Sequence, residues 1–323
     1  MQELIKKASL NPARIIFPEG DDPRIRDAVR EIKKKNIASP IIFIEEDNCK
    51  DLEGINIVNP KDEKIIGKYI DIYDDLRKNK SISKDKIRML LEGNSVFIAA
   101  LMVREGLADA VIAGAVHTTK DVARAVIHCI GAREGSSVSS CFLMDTGIEE
   151  FGYNGKFIFA DCGVILSPDS EQLADIAINS GDLFRSLFQA EPYIAFLSYS
   201  SHGSASGESV DKIRTAVRLV KDRRPDLNVD GEMQGDSAIV KAVADIKCSE
   251  SKVAGHANVL IFPDLNSGNI CYKLVDRLTS ANALGPIFLG TNHPGSDLSR
   301  GCEIEEIVLD AAIISIMAQL SKE

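Results

Sequence analysis

The stretch Arg14-Ile15-Ile16-Phe17-Pro18 begins the pattern that decides the fold. It is a short apolar run that ends at a proline, and it predicts a buried strand. The segment that follows, at about 23–36, carries its apolar residues on one helical face and predicts an amphipathic helix. The same order of strand and helix recurs along most of the 323 residues, so the sequence predicts an α/β fold.

Other apolar runs and amphipathic segments extend this alternation towards the C-terminus. Strands are predicted at 40–45, 55–58, 108–116, 141–144, 156–160, 193–198, 259–262 and 286–289. Helices are predicted at about 63–78, 84–105, 119–133, 170–189, 208–222, 237–246, 268–281 and 304–320. Near-continuous apolar strands favour a mostly parallel sheet covered by helices, and such sheets bind ligands beyond the carboxyl ends of their strands. Site residues are therefore expected in the loops that follow strands.

The composition excludes several classes of protein. A net charge of −10 argues against a nucleic-acid surface, which requires a basic face. The longest apolar run, at 96–103, is far shorter than a membrane-spanning helix, and the first residues lack a signal-peptide core, so we expect a cytoplasmic protein. Scattered cysteines without a C-x-x-C pair predict reduced thiols and no metal site. These cysteines are Cys49, Cys129, Cys141, Cys162, Cys248, Cys271 and Cys302.

One loop near the C-terminus concentrates reactive groups: Asp297-Leu298-Ser299-Arg300-Gly301-Cys302, followed by Glu303-Ile304-Glu305-Glu306. A loop that leads into a helix directs backbone N–H groups, together with Ser299 and Arg300, at one spot, which suits an anionic ligand. Seven residues, close to two helical turns, separate Ser299 from Glu306, so we expect both to face one cleft. An acid beside an anion site is explained if a bound group there must lose a proton.

Two other loops allow two interpretations each. The segment 198–208 contains Ser200 and many small residues, so it could bind an anion, or it could be a turn capped by Ser206. The acids Asp230, Glu232 and Asp236 could bind Mg²⁺, or they could be a polar strand end and a helix cap.

Positive and polar groups follow two further predicted strands. Asn266 comes just after the strand at 259–262, and Lys273 and Arg277, four residues apart on the next helix, form either a binding stripe or a solvated face. His117 follows the strand at 108–116 and could be a general base, although a lone histidine there more often holds loop backbone.

Several of these loops match the motifs of one family. The motifs are Phe159-Ala160-Asp161-Cys162, Leu197-Ser198-Tyr199-Ser200, Asp230-Gly231-Glu232-Met233-Gln234, Ala257-Asn258-Val259-Leu260-Ile261-Phe262-Pro263-Asp264-Leu265-Asn266, Gly285-Pro286-Ile287 and Asp297-Leu298-Ser299-Arg300-Gly301-Cys302. Together they resemble the phosphate acetyltransferases (phosphotransacetylases) and related phosphate acyltransferases. The similarity begins at Phe17-Pro18-Glu19 and runs in order along essentially the whole chain.

The resemblance implies a fold and an activity. The fold would consist of two α/β domains with an interdomain cleft, as in isocitrate and isopropylmalate dehydrogenases. Domain one would be discontinuous, at 1–134 plus 295–323, and domain two would span 135–294. The activity would be reversible acetyl transfer between coenzyme A and phosphate, without a covalent acyl-enzyme or a cofactor, by a homodimer of acetate metabolism.

The resemblance also implies roles for single residues. Ser299 would hydrogen-bond the substrate, Arg300 would bind or polarise the phosphoryl group, and Glu306 would be the general base where the family has an aspartate. Cys302 would be structural or merely nearby, because a ternary-complex reaction needs no nucleophilic thiol. The resemblance assigns Arg24, Arg77, Arg124 and Arg277 to CoA or phosphate binding, and the loops discussed above add Ser200, Asn266 and Lys273 to the expected substrate-binding residues.

Two positions beside the expected reaction centre depart from the family pattern. Glu306 adds a methylene to the usual aspartate, and His293 stands where a lysine is usual. The sequence therefore leaves three functions open. They are a phosphate acetyltransferase, a phosphate acyltransferase for propionyl, butyryl or another acyl group, and a weakly active acyl-CoA or acyl-phosphate binding module like the one attached to some malic enzymes.

Overall fold

The computed structural model describes residues 1–45, 52–279 and 281–320, so Cys49 lies outside the described residues. The chain forms two compact units. The first unit comprises Met1–Ala132 and Thr291–Glu323, and the second comprises Arg133–Gly290. The described cysteines are all free thiols.

The strands and helices alternate along much of the chain. The strands are β1 (Ala13–Phe17), β2 (Ala38–Phe43), β3 (Asn56–Val58), β4 (Ala110–Ala113), β5 (Ser139–Asp145), β6 (Lys156–Ala160), β7 (Tyr193–Leu197), β8 (Asn228–Met233), β9 (Val259–Ile261), β10 (Asn282–Leu289) and β11 (Gly295–Asp297). The helices are α1 (Gln2–Ala8), α2 (Pro23–Lys34), α3 (Glu63–Leu76), α4 (Lys84–Gly93), α5 (Ser95–Arg104), α6 (Thr119–Ala125), α7 (Ser170–Phe188), α8 (Glu208–Arg223), α9 (Gly235–Ile239), α10 (Lys241–Lys247), α11 (Leu265–Thr279) and α12 (Ile304–Leu320).

The strands of the first unit follow the order β3-β2-β1-β4-β11. Each neighbouring pair in this order is parallel. The chain builds outward from β1 to β2 and β3, and then returns to add β4 on the other side of β1. Loops that leave β1 and β4 therefore diverge at a topological switch point, which is where open α/β sheets bind ligands.

Helix α12 closes the first unit around its buried strands. It is apolar along most of its length, with Ile307, Ile313 and Ile314 fully buried, and it packs against α1, α2 and β1. The Ala13 N–H donates to the Ser315 hydroxyl at 3.1 Å, which joins the first strand to the last helix. This helix fixes the loop before it, at 298–303, against the strands.

The strands of the second unit follow the order β10-β5-β6-β9-β7-β8. The pairs β6–β9, β9–β7 and β7–β8 are parallel, whereas β5 is antiparallel to both β10 and β6. Aromatic residues fill one side of this sheet, where Phe142 stacks on Tyr272 with ring centroids 4.0 Å apart. The prediction of a mostly parallel α/β fold is confirmed, and β5 is the exception to parallel pairing.

Several predicted element bounds were wrong. The helix predicted at 84–105 is divided, because the Asn94 side chain accepts a hydrogen bond from the Val96 N–H at 3.1 Å and so begins a new helix. The helix predicted at 237–246 is divided at Val240. The helix predicted at 119–133 becomes π-helical over Val126–Ile130. Helix α1 and the short strand β11 were not predicted.

Candidate active site

The turn that follows β11 presents Ser299 and Arg300 to solvent. It is closed by two bonds from its own backbone: the Cys302 N–H donates to the Ser299 carbonyl at 3.0 Å, and the Gly301 N–H donates to Ser299 Oγ at 3.2 Å. Helix α12 begins only at Ile304. Helical spacing therefore does not align Ser299 with Glu306, contrary to the prediction, because Ser299 lies in the turn and not in the helix.

Glu306 lies in the first turn of α12. Its Oε2 accepts a hydrogen bond from the Glu303 N–H at 3.0 Å, which satisfies a backbone donor at the start of the helix. Burial raises the pKa of the Cys302 thiol to about 11, the Arg24 charge opposes this rise, and the Glu306 carboxylate adds to it. The Glu306 carboxylate is thus held by backbone close to Cys302.

Arg24 organises the same turn from the N-terminus of α2. Its Nη1 donates to the carbonyl oxygens of Arg300 at 2.8 Å and Cys302 at 3.2 Å. Its Nη2 donates to the carbonyl of Ala115 at 3.1 Å and pairs with Asp22 at 2.7 Å. One guanidinium therefore connects the loops that follow β1, β4 and β11.

The Arg300 side chain is exposed. Only its backbone carbonyl is engaged, by Arg24, and its guanidinium makes no hydrogen bond or ion pair with any residue that the structure describes. A planar cation with five N–H donors and no internal partner is suited to a carboxylate or phosphoryl ligand.

Glu19 is a structural acid that sequence reasoning did not single out. Its buried carboxylate accepts hydrogen bonds from the four successive backbone N–H groups of Gly114, Ala115, Val116 and His117, at 2.8–3.0 Å. Burial by itself would raise the pKa of Glu19, but these bonds and the His117 ring lower it below its ordinary value. Its position directly after an apolar strand, at the switch point, is the signal that could have identified it.

His117 holds this loop. Its Nδ1 lies 2.8 Å from Glu19 Oε1, so the structure favours the loop-holding interpretation over a general base.

Two more acids lie buried beneath the turn. Asp297 ends β11 and Asp310 lies on α12, and each is only 1% exposed. Burial raises the pKa of both carboxyls to about 7, and the mutual proximity of Asp297, Asp310 and Glu19 contributes to the rise at Asp297. A Cβ on Gly114, whose φ is +115°, would lie 2.3 Å from Asp297 Oδ1, so only glycine allows this close approach.

Arg77 and Arg124 belong to the same unit as the turn. Arg77 follows α3 directly, and its Nε is buried without a hydrogen-bond partner among the described residues. Arg124 lies on α6, 3.8 Å from Asp121, with its guanidinium carbon 5.9 Å from the Phe97 ring centroid. The charges of both arginines act to lower the pKa of the same two side chains, Tyr73 and His128.

The serine-rich loop of the second unit directs its polar groups inward. Ser200 is fully buried; its hydroxyl donates to Glu232 at 2.8 Å and accepts from the Ala205 N–H at 3.0 Å. Burial would raise the pKa of Glu232, but Arg214, the Gly203 N–H and Ser200 lower it to about 2.

Ser206, considered as the cap in one of the two interpretations of this loop, does not cap the helix, because α8 begins at Glu208 with Gly207 as its N-cap and without a side-chain cap.

The acids of β8 and α9 have structural partners. Glu232 pairs with Arg214 at 2.8 Å, and Asp236 pairs with Lys247 at 2.8 Å. Within the described ranges, no group of three His, Cys, Asp or Glu side chains could hold a metal ion. These ion pairs favour the polar strand-end interpretation over the Mg²⁺ interpretation, whereas no acid caps α9, whose N-cap Gln234 makes no side-chain capping bond.

Asn266, Lys273 and Arg277 all lie exposed on α11. The Lys273 ammonium lies 5.0 Å from the Tyr272 ring centroid, and Arg277 pairs with Asp276 at 3.3 Å. The predicted helix is confirmed, and its two cations are on the surface. Of the predicted site residues, the structure brings Arg24, Ser299, Arg300 and Glu306 together around one turn.

Comparison with known proteins identifies the relatives of this arrangement. Residues 1–315 match the family described as phosphate acetyl/butaryl transferase. The chain belongs to this family. It is 43% identical to the phosphate acetyltransferase of Thermoanaerobacterium thermosaccharolyticum over 99% of both chains. A crystal structure of a phosphotransacetylase from Streptococcus pyogenes superposes with a TM-score of 0.89 at 33% identity, covering 99% of each chain.

Membership of the family accounts for the fold as well. The 4-hydroxythreonine-4-phosphate dehydrogenase of Klebsiella pneumoniae shares the fold at a TM-score of 0.52, although only 10% of residues are identical over 96% of this chain and 100% of that one. The expected dehydrogenase-like fold is confirmed.

Across the described parts of the chain, no helix has both the length and the apolar character that crossing a membrane requires.

Proposed function

We propose that the chain is a phosphate acetyltransferase that converts acetyl-CoA and inorganic phosphate reversibly into acetyl phosphate and CoA. Relatives that are 43% and 40% identical over nearly their whole length carry this name. The turn at 299–302 is the observation that supports the location of the active site. It exposes Ser299 and an Arg300 guanidinium that is unpaired among the described residues, beside the Glu306 carboxylate, which the Glu303 N–H holds.

The proposed reaction moves one acyl group between sulfur and oxygen. A thiol has an ordinary pKa of about 8.5, so a carboxylate that accepts its proton raises the fraction of thiolate at the moment of attack. Glu306 takes the CoA thiol proton, the sulfur bonds to the acyl carbon, and the carbon–oxygen bond to phosphate breaks. The electron pair of that bond leaves with the phosphate, and the reverse direction uses the same steps in the opposite order.

Arg300 and Ser299 have complementary roles in this reaction. The guanidinium stabilises the charge that develops on the acyl oxygen and on the departing phosphate, and the hydroxyl hydrogen-bonds the substrate. The Glu303 N–H fixes Oε2 of Glu306, so we assign proton transfer to Oε1.

The transfer is direct in this proposal and involves no acyl-enzyme. The thiol of the turn, that of Cys302, is 2% exposed, and its pKa is raised to about 11. A buried, protonated thiol is a poor nucleophile. The two substrates then suffice, and the reaction as written needs no cofactor.

The remaining arginines divide into two roles. We assign Arg77 and Arg124 to phosphoryl groups of the substrates, because Arg77 Nε is buried and unpaired within the described structure. We assign Arg24 to positioning, because its donors are engaged by three carbonyls and Asp22.

The second unit contributes the other candidates. Asn266, Lys273 and Arg277 stay substrate-contact candidates on an exposed helix. Ser200 is assigned to shaping its loop, because its hydroxyl is occupied by Glu232 and Ala205.

We also propose that the active form is a cytoplasmic homodimer. Free thiols throughout the described chain suit a reducing compartment. Helix α11 buries only Gly268 and exposes Ile270, Leu274 and Leu278 by 58%, 54% and 79%. These residues are four apart and form an apolar stripe that can pair with its own copy about a twofold axis.

The experiment that tests the function is a panel of acyl-CoA substrates. Phosphate-dependent release of CoA from acetyl-, propionyl- and butyryl-CoA is measured at matched concentrations. The proposal predicts the highest kcat/KM with acetyl-CoA. Preference for a longer chain would make the protein a different phosphate acyltransferase. Tight CoA binding without turnover of any substrate would make it a binding module.

A further inference from the structure

Two polar pairs face each other in the first unit. Tyr73 and Arg77 are four residues apart at the end of α3, and Arg124 and His128 are four residues apart on α6 and the π-helical turn Val126–Ile130. Residues at this spacing lie on the same side of a helix. The pairs meet where Tyr73 Oη lies 3.2 Å from His128 Nδ1.

A buried aromatic pair supports this arrangement. The Tyr73 ring packs edge-on against Phe97, with centroids 5.9 Å apart and an interplanar angle of 73°. The Arg124 guanidinium carbon lies 5.9 Å from the same Phe97 centroid. The tyrosine, the histidine and the arginine are therefore held by one packed cluster. Short π-helical turns inside helices are frequent at functional sites, and here such a turn carries His128.

The groups around His128 are mostly cationic. The charges of Arg77, at the end of α3, and Arg124, on α6, act on the ring, and Arg104 of α5 donates to the Cys129 carbonyl at 3.0 Å. Asp121 lies 3.8 Å from Arg124. Burial lowers the pKa of His128, and the charges of Arg77 and Arg124 lower it further. A protonated ring is therefore disfavoured while no anion is present.

We propose that His128, held by Tyr73, is a specificity residue for the phosphoryl anion bound by Arg77 and Arg124, and that binding of this anion is coupled to uptake of one proton by His128. The inference rests on the proposed function, which assigns the two arginines to phosphoryl groups. The proton does not enter the acyl transfer; it adds a positive charge where the anion binds.

The sign of the coupling follows from linkage. An anion between the arginines offsets the positive charges that disfavour the protonated ring, so the pKa of His128 rises on binding. Affinity for the anion must then increase as pH falls through the range between the free and the bound pKa. A rise of about one pH unit in that pKa corresponds to about a tenfold change in affinity. The Tyr73 hydroxyl donates to a neutral ring and accepts from a protonated one, so it stabilises both states.

The test compares the pH dependence of KM in matched variants. KM for inorganic phosphate and KM for CoA are measured between about pH 6 and 8 for the wild type, His128→Gln and His256→Gln. Glutamine keeps a hydrogen-bonding side chain without titrating, and His256 is an exposed histidine of the second unit that serves as a control. Phosphate itself titrates in this range, but its contribution is identical for all three enzymes and cancels in the ratios.

The proposal predicts that the pH dependence of one KM weakens by about three- to tenfold over this range in His128→Gln, and that it is unchanged in His256→Gln. If the pH dependence of KM for phosphate weakens, the anion is inorganic phosphate or acyl phosphate. If the pH dependence of KM for CoA weakens, the anion is a phosphate of CoA. Parallel pH profiles of wild type and His128→Gln, with acetyltransferase activity intact, overturn the inference and leave the proposed function standing. Absence of activity in the wild type refutes the proposed function instead.

A second measurement does not depend on the variant's folding. The chain has five histidines, so the ring proton of His128 can be assigned by NMR and titrated in the wild type with and without inorganic phosphate or CoA. The proposal predicts a pKa that rises when the anion binds. A pKa that does not move with either ligand overturns the proposal.

Discussion

Glu306 is the residue that connects the turn to proton transfer. Replacing it by glutamine keeps the size and can keep the bond from the Glu303 N–H, but removes the base. Glu306→Gln is expected to lower kcat on the order of a hundredfold while the Kd for CoA changes little. Glu305→Gln, at the exposed neighbouring position on α12, is the control. Near-normal kcat in Glu306→Gln would remove this carboxylate from the mechanism.

Substitution of Arg24 tests whether the geometry of the turn affects kcat independently of ligand binding. Lysine keeps the charge but cannot span the carbonyls of Ala115, Arg300 and Cys302 as the guanidinium does. Arg24→Lys is expected to lower kcat by roughly tenfold or more with little change in either KM. Steady-state kinetics beside Arg30→Lys, an exposed arginine of the same helix, provide the check. A raised KM with unchanged kcat would instead make Arg24 a ligand-binding residue.

Sequence reasoning singled out residues whose partners are close in the chain and did not single out those whose partners are distant. Ser299 and Arg300 were identified because their turn and the following helix are continuous in sequence. Glu19 was not, because the backbone N–H groups that it binds are 95 to 98 residues away. Arg24 was assigned to a ligand from the resemblance, although its acceptors are carbonyls up to 278 residues away.

At the level of helices and strands, α12 contains a buried acid that makes stability depend on pH. Burial raises the pKa of Asp310 to about 7, whereas an unfolded aspartate has a pKa of about 3.9. Below about pH 4 the carboxyl is protonated in both states. Between about pH 4 and 7 only the unfolded state loses the proton, so stability decreases as pH rises through this window.

Asp310→Asn removes this titration. The free energy of unfolding of the wild type should decrease from pH 5 to pH 8. In Asp310→Asn this decrease should be smaller by on the order of 2 kcal/mol. Denaturant unfolding at the two pH values measures the difference, and Asp85→Asn on the exposed side of α4 is the control. Equal pH dependence in wild type and Asp310→Asn would show that the Asp310 carboxyl has an ordinary pKa in the folded protein.

Apolar periodicity predicted most of the elements, and local capping limited its accuracy. The final helix matches its prediction of 304–320, because a long apolar segment leaves few alternatives. The segment 84–105 kept helical periodicity through Asn94, but the side chain of that residue caps a new helix. Strand β11 is only three residues long and is defined by pairing with β4, which no local pattern encodes.

For the whole molecule, the apolar stripe of α11 predicts self-association. Leu274→Glu places a charge at the centre of Ile270, Leu274 and Leu278, and is expected to convert a dimer into monomers at micromolar concentration. Sedimentation equilibrium measures the mass, and Leu10→Glu, an exposed leucine of the first unit, is the control. A dimer that persists in Leu274→Glu would locate the interface elsewhere, and a monomeric wild type would refute the homodimer.

We propose that phosphate acetyltransfer takes place at the turn after β11. Its most direct test is the rate of phosphate-dependent CoA release from acetyl-CoA by the wild type and by Arg300→Gln, with unfolding midpoints measured in parallel. We predict release by the wild type and a rate on the order of a hundredfold lower in Arg300→Gln at an unchanged midpoint, because the guanidinium is exposed and stabilises charge only during the reaction. No phosphate-dependent release by the wild type, or equal rates in the two proteins, would contradict the claim.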